Sequence, residues 1–217
     1  SSHNGMVHVR GNPRDFENWA QKDLKSWNYN NVLPYFKKSE SIEGLDETYR
    51  NKSGPLKLSR SSEGNELSKV YLEAAEQAGY EINNDMNGYK QEGFGLMDTT
   101  IYGGRRQSTS VTYLHPVINR RNLTVITNTI VNKVIIENNK AVGVECTTGR
   151  AIKKIHAENE VILSAGAINS PQLLMLSGIG SAEELKKLDI SVQHDLIGVG
   201  ENLQDHLETY LQYECKK

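Results

Sequence analysis

Residues 161–180 read VILSAGAINSPQLLMLSGIG, and this stretch decides the class of fold. It opens with three consecutive apolar residues at 161–163, which is typical of a strand covered on both faces. Ser170 can cap a helix, Pro171 suits its first turn and Gly178 suits its end. The stretch therefore predicts a buried strand, a turn of small residues and a helix, in that order.

The turn between the predicted strand and helix consists of Ala165, Gly166 and Ala167. Such small side chains let a ligand approach the backbone, and the free N–H groups and dipole of a helix start favour an anion such as phosphate. A tight turn that needs small residues only for packing would have the same sequence. The local pattern leaves both interpretations open.

The sequence on either side of this stretch extends the prediction. The preceding β-branched runs LTVIT, IVNKVIIE, AVGVECTT and AIKKIHA are parted by NN, TG and EN pairs, which indicates hairpins that lead back to the strand at 161–163. After the predicted helix, SAEEL favours a second one, with Ser181 and Glu184 forming a capping box. The second half of the chain is thus built around a sheet.

The first half favours helices. Asn12 is a good N-cap and Pro13 fits the first helical position, while a short apolar turn follows in NNVLPYF. Residues 66–79 carry apolar side chains at helical spacing and end in glycine, which predicts the most regular helix. A further helix is expected from Ser108, bent or ended near Pro116.

Composition argues against several classes of partner. The 217 residues include 25 Lys and Arg against 27 Asp and Glu, with a net charge of −2 and no long run of one sign, so no nucleic-acid partner is expected. Apolar runs are too short for a membrane span. Cys146 and Cys215 have neither metal-ligand nor redox spacing, and no metal site is predicted.

A second candidate site lies in SSHNGM, where Asn4-Gly5 permits unusual backbone geometry and His3 is a nucleophile near neutral pH. An exposed turn with a solvated histidine fits the same residues. The polar segment GVGENLQDH is expected to be a hydrogen-bonded structural loop. Surface placement is expected for four further histidines, which are His8, His115, His156 and His194.

These motifs together resemble one family. GAINSPQLLMLSGIG resembles the second signature of the glucose–methanol–choline oxidoreductases, which are flavoenzymes that oxidise alcohols, and SSHNGMVHVRGNPRDFENWA resembles the end of their first signature. The resemblance covers nearly the whole chain, since other family blocks follow in order. These blocks are WNYNNVLPYFKKSE, GGRRQSTSVTYL, RRNLTVITNTIVNKV, AVGVE and GVGENLQDH.

The resemblance implies an α/β (α+β) fold: a partial Rossmann-type FAD-binding domain with a β-meander, interleaved with part of a substrate domain. On that template residues 1–14 and 105–206 belong to the FAD-binding domain. Residues 15–104 form a helical excursion that covers the flavin and reaches the substrate domain, and residues 207–217 begin the substrate-domain sheet.

The resemblance also assigns residues to FAD binding. Asn4, Gly5 and Met6 match a loop whose backbone lies beside the flavin ring, and Val131 matches the position whose main chain pairs with the adenine edge. Ala165 and Gly166 match the strand end near the diphosphate and ribose. His3 matches a position that carries the flavin on a covalent histidyl bond in some relatives and is aliphatic in many others.

The implied function is FAD-dependent oxidation of the CH–OH group of primary alcohols or sugars, choline- or glucose-dehydrogenase-like, with hydride passing to flavin N5. No catalytic residue is expected within these residues, because the family's catalytic histidine would lie downstream. The family's GxGxxG turn, which seats the pyrophosphate, would lie upstream. We therefore expect an internal fragment that is inactive alone. A catalytically inactive flavin-fold relative with a binding or structural role is the alternative, and the electron acceptor and the compartment stay open.

Overall fold

The computed structural model describes residues 3–61 and 65–214, so predictions that fall on Ser1, Ser2 and Cys215 lie outside the described residues. The chain forms two compact units, an N-terminal unit (Ser1–Thr124) and a C-terminal unit (Val125–Lys217). Within the described ranges, no helix is both long and apolar enough to cross a membrane. The same ranges contain no group of three or more His, Cys, Asp or Glu residues placed to hold a metal ion.

The described part of the N-terminal unit combines short strands with three α-helices. In chain order these are β1 (Val7–His8), α1 (Pro13–Gln21), α2 (Tyr29–Ser39), β2 (Glu40–Ser41), β3 (Leu56–Lys57), β4 (Ser59–Arg60), α3 (Glu66–Gln77), β5 (Asp98–Thr99), β6 (Ile101–Tyr102) and β7 (Arg105–Arg106). β5 lies between β1 and β4 in an antiparallel sheet, β2 pairs with β3 in parallel, and β6 and β7 form a hairpin.

Local capping explains where these helices begin. Asn12 accepts the N–H of Arg14 at 2.9 Å, and Asp15 accepts the N–H of Asn12 at 3.1 Å, which closes a capping box on α1. Asn65 accepts the N–H of Leu67 at 3.0 Å and starts α3. The predicted start of α1 and the predicted helix at 66–79 are both confirmed.

The helix predicted from Ser108 is only partly correct. A π-helical turn spans Ser110–Leu114, where the N–H of His115 donates to the carbonyl of Ser110, and a 3₁₀ turn follows at His115–Val117. Pro116 has no N–H, so a regular α-helical hydrogen-bond ladder cannot continue through it. The segment is therefore wound irregularly on both sides of the proline.

The C-terminal unit contains the predicted β-meander. Its elements are β8 (Thr129–Glu137), β9 (Lys140–Thr148), β10 (Ala151–His156), α4 (Gly166–Leu176), β11 (Ile179–Gly180), α5 (Ala182–Lys187) and β12 (His194–Asp195). The first three strands form an antiparallel sheet in the order β10-β9-β8, and β11 pairs with β12 in parallel. The hairpin prediction is confirmed for β8, β9 and β10.

Two predicted strands in the second half of the chain are wrong. Residues 123–127 and 161–163 are not strands, and Ile162 is 75% exposed. A strand needs a neighbour to pair its backbone groups, and neither segment pairs with a strand among the residues that the structure describes. Apolar content alone therefore did not determine strand structure in these segments.

The helix after 161–163 starts earlier than predicted, at Gly166. Ser170 consequently lies inside α4 and not at its N-cap, although its hydroxyl accepts the N–H of Ala165 at 3.0 Å. Pro171 is also internal, where its missing N–H interrupts the backbone ladder. The predicted end is correct, because Gly178 adopts a φ of +84° just after the helix.

The start of α5 is as predicted, but its cap differs. The side chain of Ser181 makes no cap hydrogen bond within the described chain, so the predicted capping box with Glu184 is wrong. Asp195 from β12 accepts the N–H of Ala182 at 2.8 Å instead. A residue distant in sequence thus satisfies the first free donor of the helix.

Candidate functional site

The loop at residues 3–6 presents an open stretch of backbone. The side chain of Asn4 accepts the N–H of Met6 at 2.9 Å, and Met6 adopts a φ of +63°. This side-chain bond stabilises the turn without a regular element. A Cβ added to Gly5 would have no atom within 4 Å. The loop can therefore receive a ligand directly against its backbone.

Two residues distant in sequence, Thr100 and Arg106, hold this loop in place. The N–H of Thr100 donates to the carbonyl of Met6 at 2.7 Å, immediately after β5 pairs Thr99 with Val7. The guanidinium of Arg106 donates to the carbonyl of Asn4 at 3.2 and 3.3 Å and to its Oδ1 at 3.0 Å. The loop is thus fixed at both of its ends.

A buried charge cluster lies next to the strand that follows this loop, and it consists of Arg10, Glu40, Arg50 and Asp98. Arg10 Nη2 lies 2.7 Å from Glu40 Oε1. Arg50 bridges two carboxylates, with its Nε 2.8 Å from Glu40 Oε1 and its Nη2 2.8 Å from Asp98 Oδ2. Charges buried this deeply are tolerated only because each has an opposite partner.

Electrostatics in the cluster favour the ionised forms. Burial would raise the pKa of Glu40, but close contacts with His8 and Arg50 and the charges of Arg10 and Arg50 lower it to about 2. Burial opposes the charge of Arg50, whereas hydrogen bonds to Glu40 and Asp98 raise its pKa. Glu40 and Arg50 are therefore both charged at neutral pH.

His8 corrects one of the histidine predictions. Its Nε2 lies 3.3 Å from Glu40 Oε2, and only 17% of its side chain is exposed, so it does not lie on the surface. The antiparallel pairing of β1 with β5 turns His8 towards the cluster. His115, His156 and His194 are exposed, as predicted.

Asn87 links the cluster to the chain after the 3–6 loop. Its side chain accepts the N–H of Arg10 at 2.7 Å and donates to the carbonyl of His8 at 2.9 Å. Arg50 also contacts Asp85. No sequence motif could have revealed this cluster, because its members are contributed by widely separated segments with no fixed spacing.

The C-terminal unit contains a groove of about 410 Å³ at the start of α4. Val131 from β8 and Ala165 lie on its walls, so the structure brings these two predicted site residues together. Other lining residues include Ile130, Leu163, Asn169 and Leu173. The apolar walls suit a flat organic ring, and the polar amide of Asn169 lies at the same groove.

The N-terminal end of α4 supplies hydrogen-bond donors at this groove. Gly166 has a φ of +90°, which favours glycine, and a Cβ there would meet nothing within 4 Å. The N-cap residue Ala165 has no side chain that could cap the helix, so the first-turn N–H groups lack a side-chain cap in the described chain. Such a helix start suits an anionic group.

A buried serine fixes α4 against the sheet. Ser177 accepts the N–H of Val134 at 2.8 Å and donates to the carbonyl of Leu173 at 2.6 Å. This pair of bonds connects the end of α4 to β8, which carries Val131. The spacing between the two walls of the groove is thereby set by the fold.

The predicted site residues fall into two groups. His3, Asn4, Gly5 and Met6 share the loop of the N-terminal unit, while Val131 and Ala165 line the groove of the C-terminal unit. Gly166 follows Ala165 as the first residue of α4. His3 is exposed in its loop. Assignment of these residues to a cofactor stays a prediction.

Comparison with known proteins gives the class of this chain. Residues 1–208 match the family model described as GMC oxidoreductase. The chain therefore belongs to the GMC oxidoreductase family, and the resemblance inferred from the signatures is confirmed.

Curated relatives define the similarity more narrowly. The chain is 50% identical to mitochondrial choline dehydrogenase of Homo sapiens over 217 residues, which is 100% of this chain and 36% of that protein. It is 48% identical to oxygen-dependent choline dehydrogenase of Brucella anthropi over 215 residues, which is 99% of this chain and 39% of that protein. The chain thus spans less than half the length of these relatives.

Solved structures confirm the fold class. Pyridoxine 4-oxidase from Mesorbium loti superposes with a TM-score of 0.82 at 28% identity, covering 88% of this chain and 38% of that one. An FAD-dependent oxidoreductase from Chaetomium thermophilum gives a TM-score of 0.84 at 27% identity, covering 90% and 36%. The mixed helix and strand structure is that of a partial FAD-binding α/β domain.

Proposed function

We propose that this chain provides FAD-binding elements of an FAD-dependent oxidoreductase that acts on the CH–OH group of a primary alcohol or a sugar. One observation carries the proposal: Val131 and Ala165, separated along the chain, line one groove at the open start of α4. Two findings support FAD as the cofactor: membership of the GMC family, and the structural similarity to the FAD-dependent oxidoreductase from Chaetomium thermophilum.

The residues at the groove fit the adenosine diphosphate part of FAD. The N–H groups of the first turn of α4, which have no side-chain cap in the described chain, and the positive end of the α4 dipole suit the diphosphate. β8 is the edge strand of its sheet, so one side of its backbone at Val131 pairs with no other strand in the described chain. That edge suits the hydrogen-bonding edge of adenine.

The 3–6 loop fits a position beside the flavin ring. The N–H of Gly5 can donate a hydrogen bond, and the absence of a side chain there allows close approach to a flat ring. When bound, FAD supplies the hydride acceptor at its N5 atom. The role of these residues is to bind and orient the ring, and we assign no catalytic base to this chain.

Choline leads the proposed substrates, because the two curated relatives reported above are choline dehydrogenases. We expect the longest natural form of the protein to contain FAD, at one FAD per chain. It should oxidise choline faster than glucose or ethanol in the presence of an artificial electron acceptor. Purified protein without flavin would overturn the proposal, and bound FAD without turnover of any alcohol would indicate an inactive flavin-fold relative.

Acid precipitation of the FAD-loaded protein addresses His3 separately. Yellow colour retained in the pellet, and lost in a His3→Ala variant, would place the flavin on a covalent bond to His3. Colour wholly in the supernatant would leave His3 as a neighbour of a non-covalent flavin. Either result tests covalency without depending on substrate identity.

A further inference from the structure

Arg106 makes a long-range contact that the signatures do not explain. It lies in β7, half-buried, and donates three hydrogen bonds to Asn4, a residue 102 positions away in sequence. Two of these bonds reach the main-chain carbonyl and one reaches the side-chain oxygen. Among the described residues, no carboxylate forms an ion pair with this guanidinium, so its charge acts on Asn4.

We propose that Arg106 is a positioning residue for the flavin, which it influences through the Asn4–Gly5 peptide. The carbonyl of Asn4 and the N–H of Gly5 belong to one planar peptide group. A cation that donates to this carbonyl draws electron density from the group and makes the N–H a stronger donor. This inference rests on the proposed function, which places the Gly5 N–H beside the flavin.

The planar geometry of the Arg106 guanidinium, as well as its charge, positions the Asn4–Gly5 peptide. Arg106 Nη1 bonds both Asn4 oxygens, at 3.2 and 3.0 Å, while Nη2 bonds the carbonyl at 3.3 Å. The planar group thus sets the orientation of the peptide and of the amide that supports Met6. A lysine would supply the charge at one point but not the two-pronged geometry.

The effect should appear in the reduction potential of the flavin. Reduction places negative charge on the flavin ring. A polarised N–H therefore stabilises the reduced ring more than the oxidised ring. In Arg106→Gln the ratio of reduced to oxidised flavin at a fixed potential should fall about tenfold, equivalent to a potential about 30 mV lower for a two-electron couple. Arg106→Lys should shift the ratio in the same direction by less.

The experiment is a reductive titration of the FAD-loaded protein against a dye of known potential. Arg105→Gln is the matched control, because Arg105 is the exposed neighbour in β7 and its loss removes the same charge. We expect the potential of this control to equal that of the wild type. Equal potentials for Arg106→Gln and Arg105→Gln would overturn the inference while leaving the proposed function intact.

A second readout needs no cofactor. In FAD-free protein, hydrogen exchange at the Met6 amide should accelerate in Arg106→Gln and Arg106→Lys but not in Arg105→Gln, because Asn4 loses its anchor. If Arg106→Gln cannot retain flavin, the reduction potential of Arg106→Lys is measured instead. A potential equal to that of the wild type, together with unchanged hydrogen exchange at the Met6 amide, overturns the inference. Wild-type protein that binds no FAD overturns the proposed function itself.

Discussion

Arg10 and Glu40 form an ion pair in which both side chains are almost fully buried, with 2.7 Å between Nη2 and Oε1. The pair connects the segment that follows the 3–6 loop to the end of α2. The N-terminal unit buries few large apolar side chains, among them Phe16 and Leu58. Paired charges therefore hold the strand next to the proposed flavin loop, together with the hydrogen bonds from Asn87.

Glu40→Gln tests this role of the cluster. The substitution keeps the shape of the side chain but removes the negative charge that faces Arg10 and Arg50. The free energy of unfolding of the N-terminal unit should therefore fall by about 3 kcal/mol. Urea unfolding followed by tryptophan fluorescence measures it, since both tryptophans, Trp19 and Trp27, lie in that unit. Glu47→Gln is the control, because Glu47 pairs with Lys52 at the exposed surface, and we expect this substitution to leave the free energy of unfolding almost unchanged.

The same carboxylate predicts a pH dependence. The pKa of Glu40 is lowered to about 2 in the folded chain from an ordinary value of 4.5, so the folded state favours the ionised form. Its contribution to the free energy of unfolding is about 3 kcal/mol. This contribution is complete above pH 4.5 and is lost as the pH falls towards 2. Stability of the wild type should fall over this range more steeply than that of Glu40→Gln. Parallel curves would show that Glu40 does not contribute in this way.

Ser177→Ala should loosen the junction of α4 and β8. The variant leaves the buried N–H of Val134 without its acceptor, which costs about 1–3 kcal/mol. Hydrogen exchange at the Val134 amide is the direct measurement, and it should accelerate. Ser191→Ala, on an exposed residue of the same unit, should leave that amide unchanged. Equal protection of Val134 in both variants would contradict this role for Ser177.

Gly5→Ala separates folding from cofactor binding. A Cβ at this position meets nothing within 4 Å, so the thermal stability of the FAD-free protein should not change. If the flavin ring lies against this backbone, the added methyl group should weaken FAD binding by about tenfold or more. Fluorescence titration with FAD measures the affinity. An unaltered dissociation constant would place the flavin elsewhere.

Ala165→Trp tests the groove in the C-terminal unit. Ala165 is exposed on the groove wall, and the indole would occupy the space assigned to the adenosine part of FAD without disturbing a packed core. FAD affinity should fall about tenfold or more. Ala151→Trp, on the exposed strand β10 and outside the groove lining, is the matched control and should bind FAD normally. Equal affinities would remove the groove from the site.

Elements set by neighbouring residues were predictable from the sequence. Asn12 and Pro13 determine the start of α1 by local capping, and the β-branched runs of β8 to β10 are joined by short turns. Local pattern singled out the turn at 165–167 and the loop at 3–6 as candidate sites. Only the family signatures assigned them to FAD, because small residues such as Gly5 and Gly166 look alike in any turn.

The rest depends on contacts between distant segments. Glu40 and Asp98 look like surface carboxylates until folding brings Arg50 between them. In the same way, residues 161–163 have strand composition but lack a pairing partner in the described chain. Periodicity and propensity carry no information on such pairings, since they describe each segment alone.

The most direct test of the proposed function is anaerobic mixing of the FAD-loaded protein, in its longest natural form, with choline. We predict that the visible absorption of the oxidised flavin bleaches in a single turnover, and that admission of an electron acceptor restores it. Glucose and ethanol serve as comparison substrates in the same experiment. A bound flavin that stays oxidised with choline and with every other alcohol would contradict an alcohol oxidoreductase.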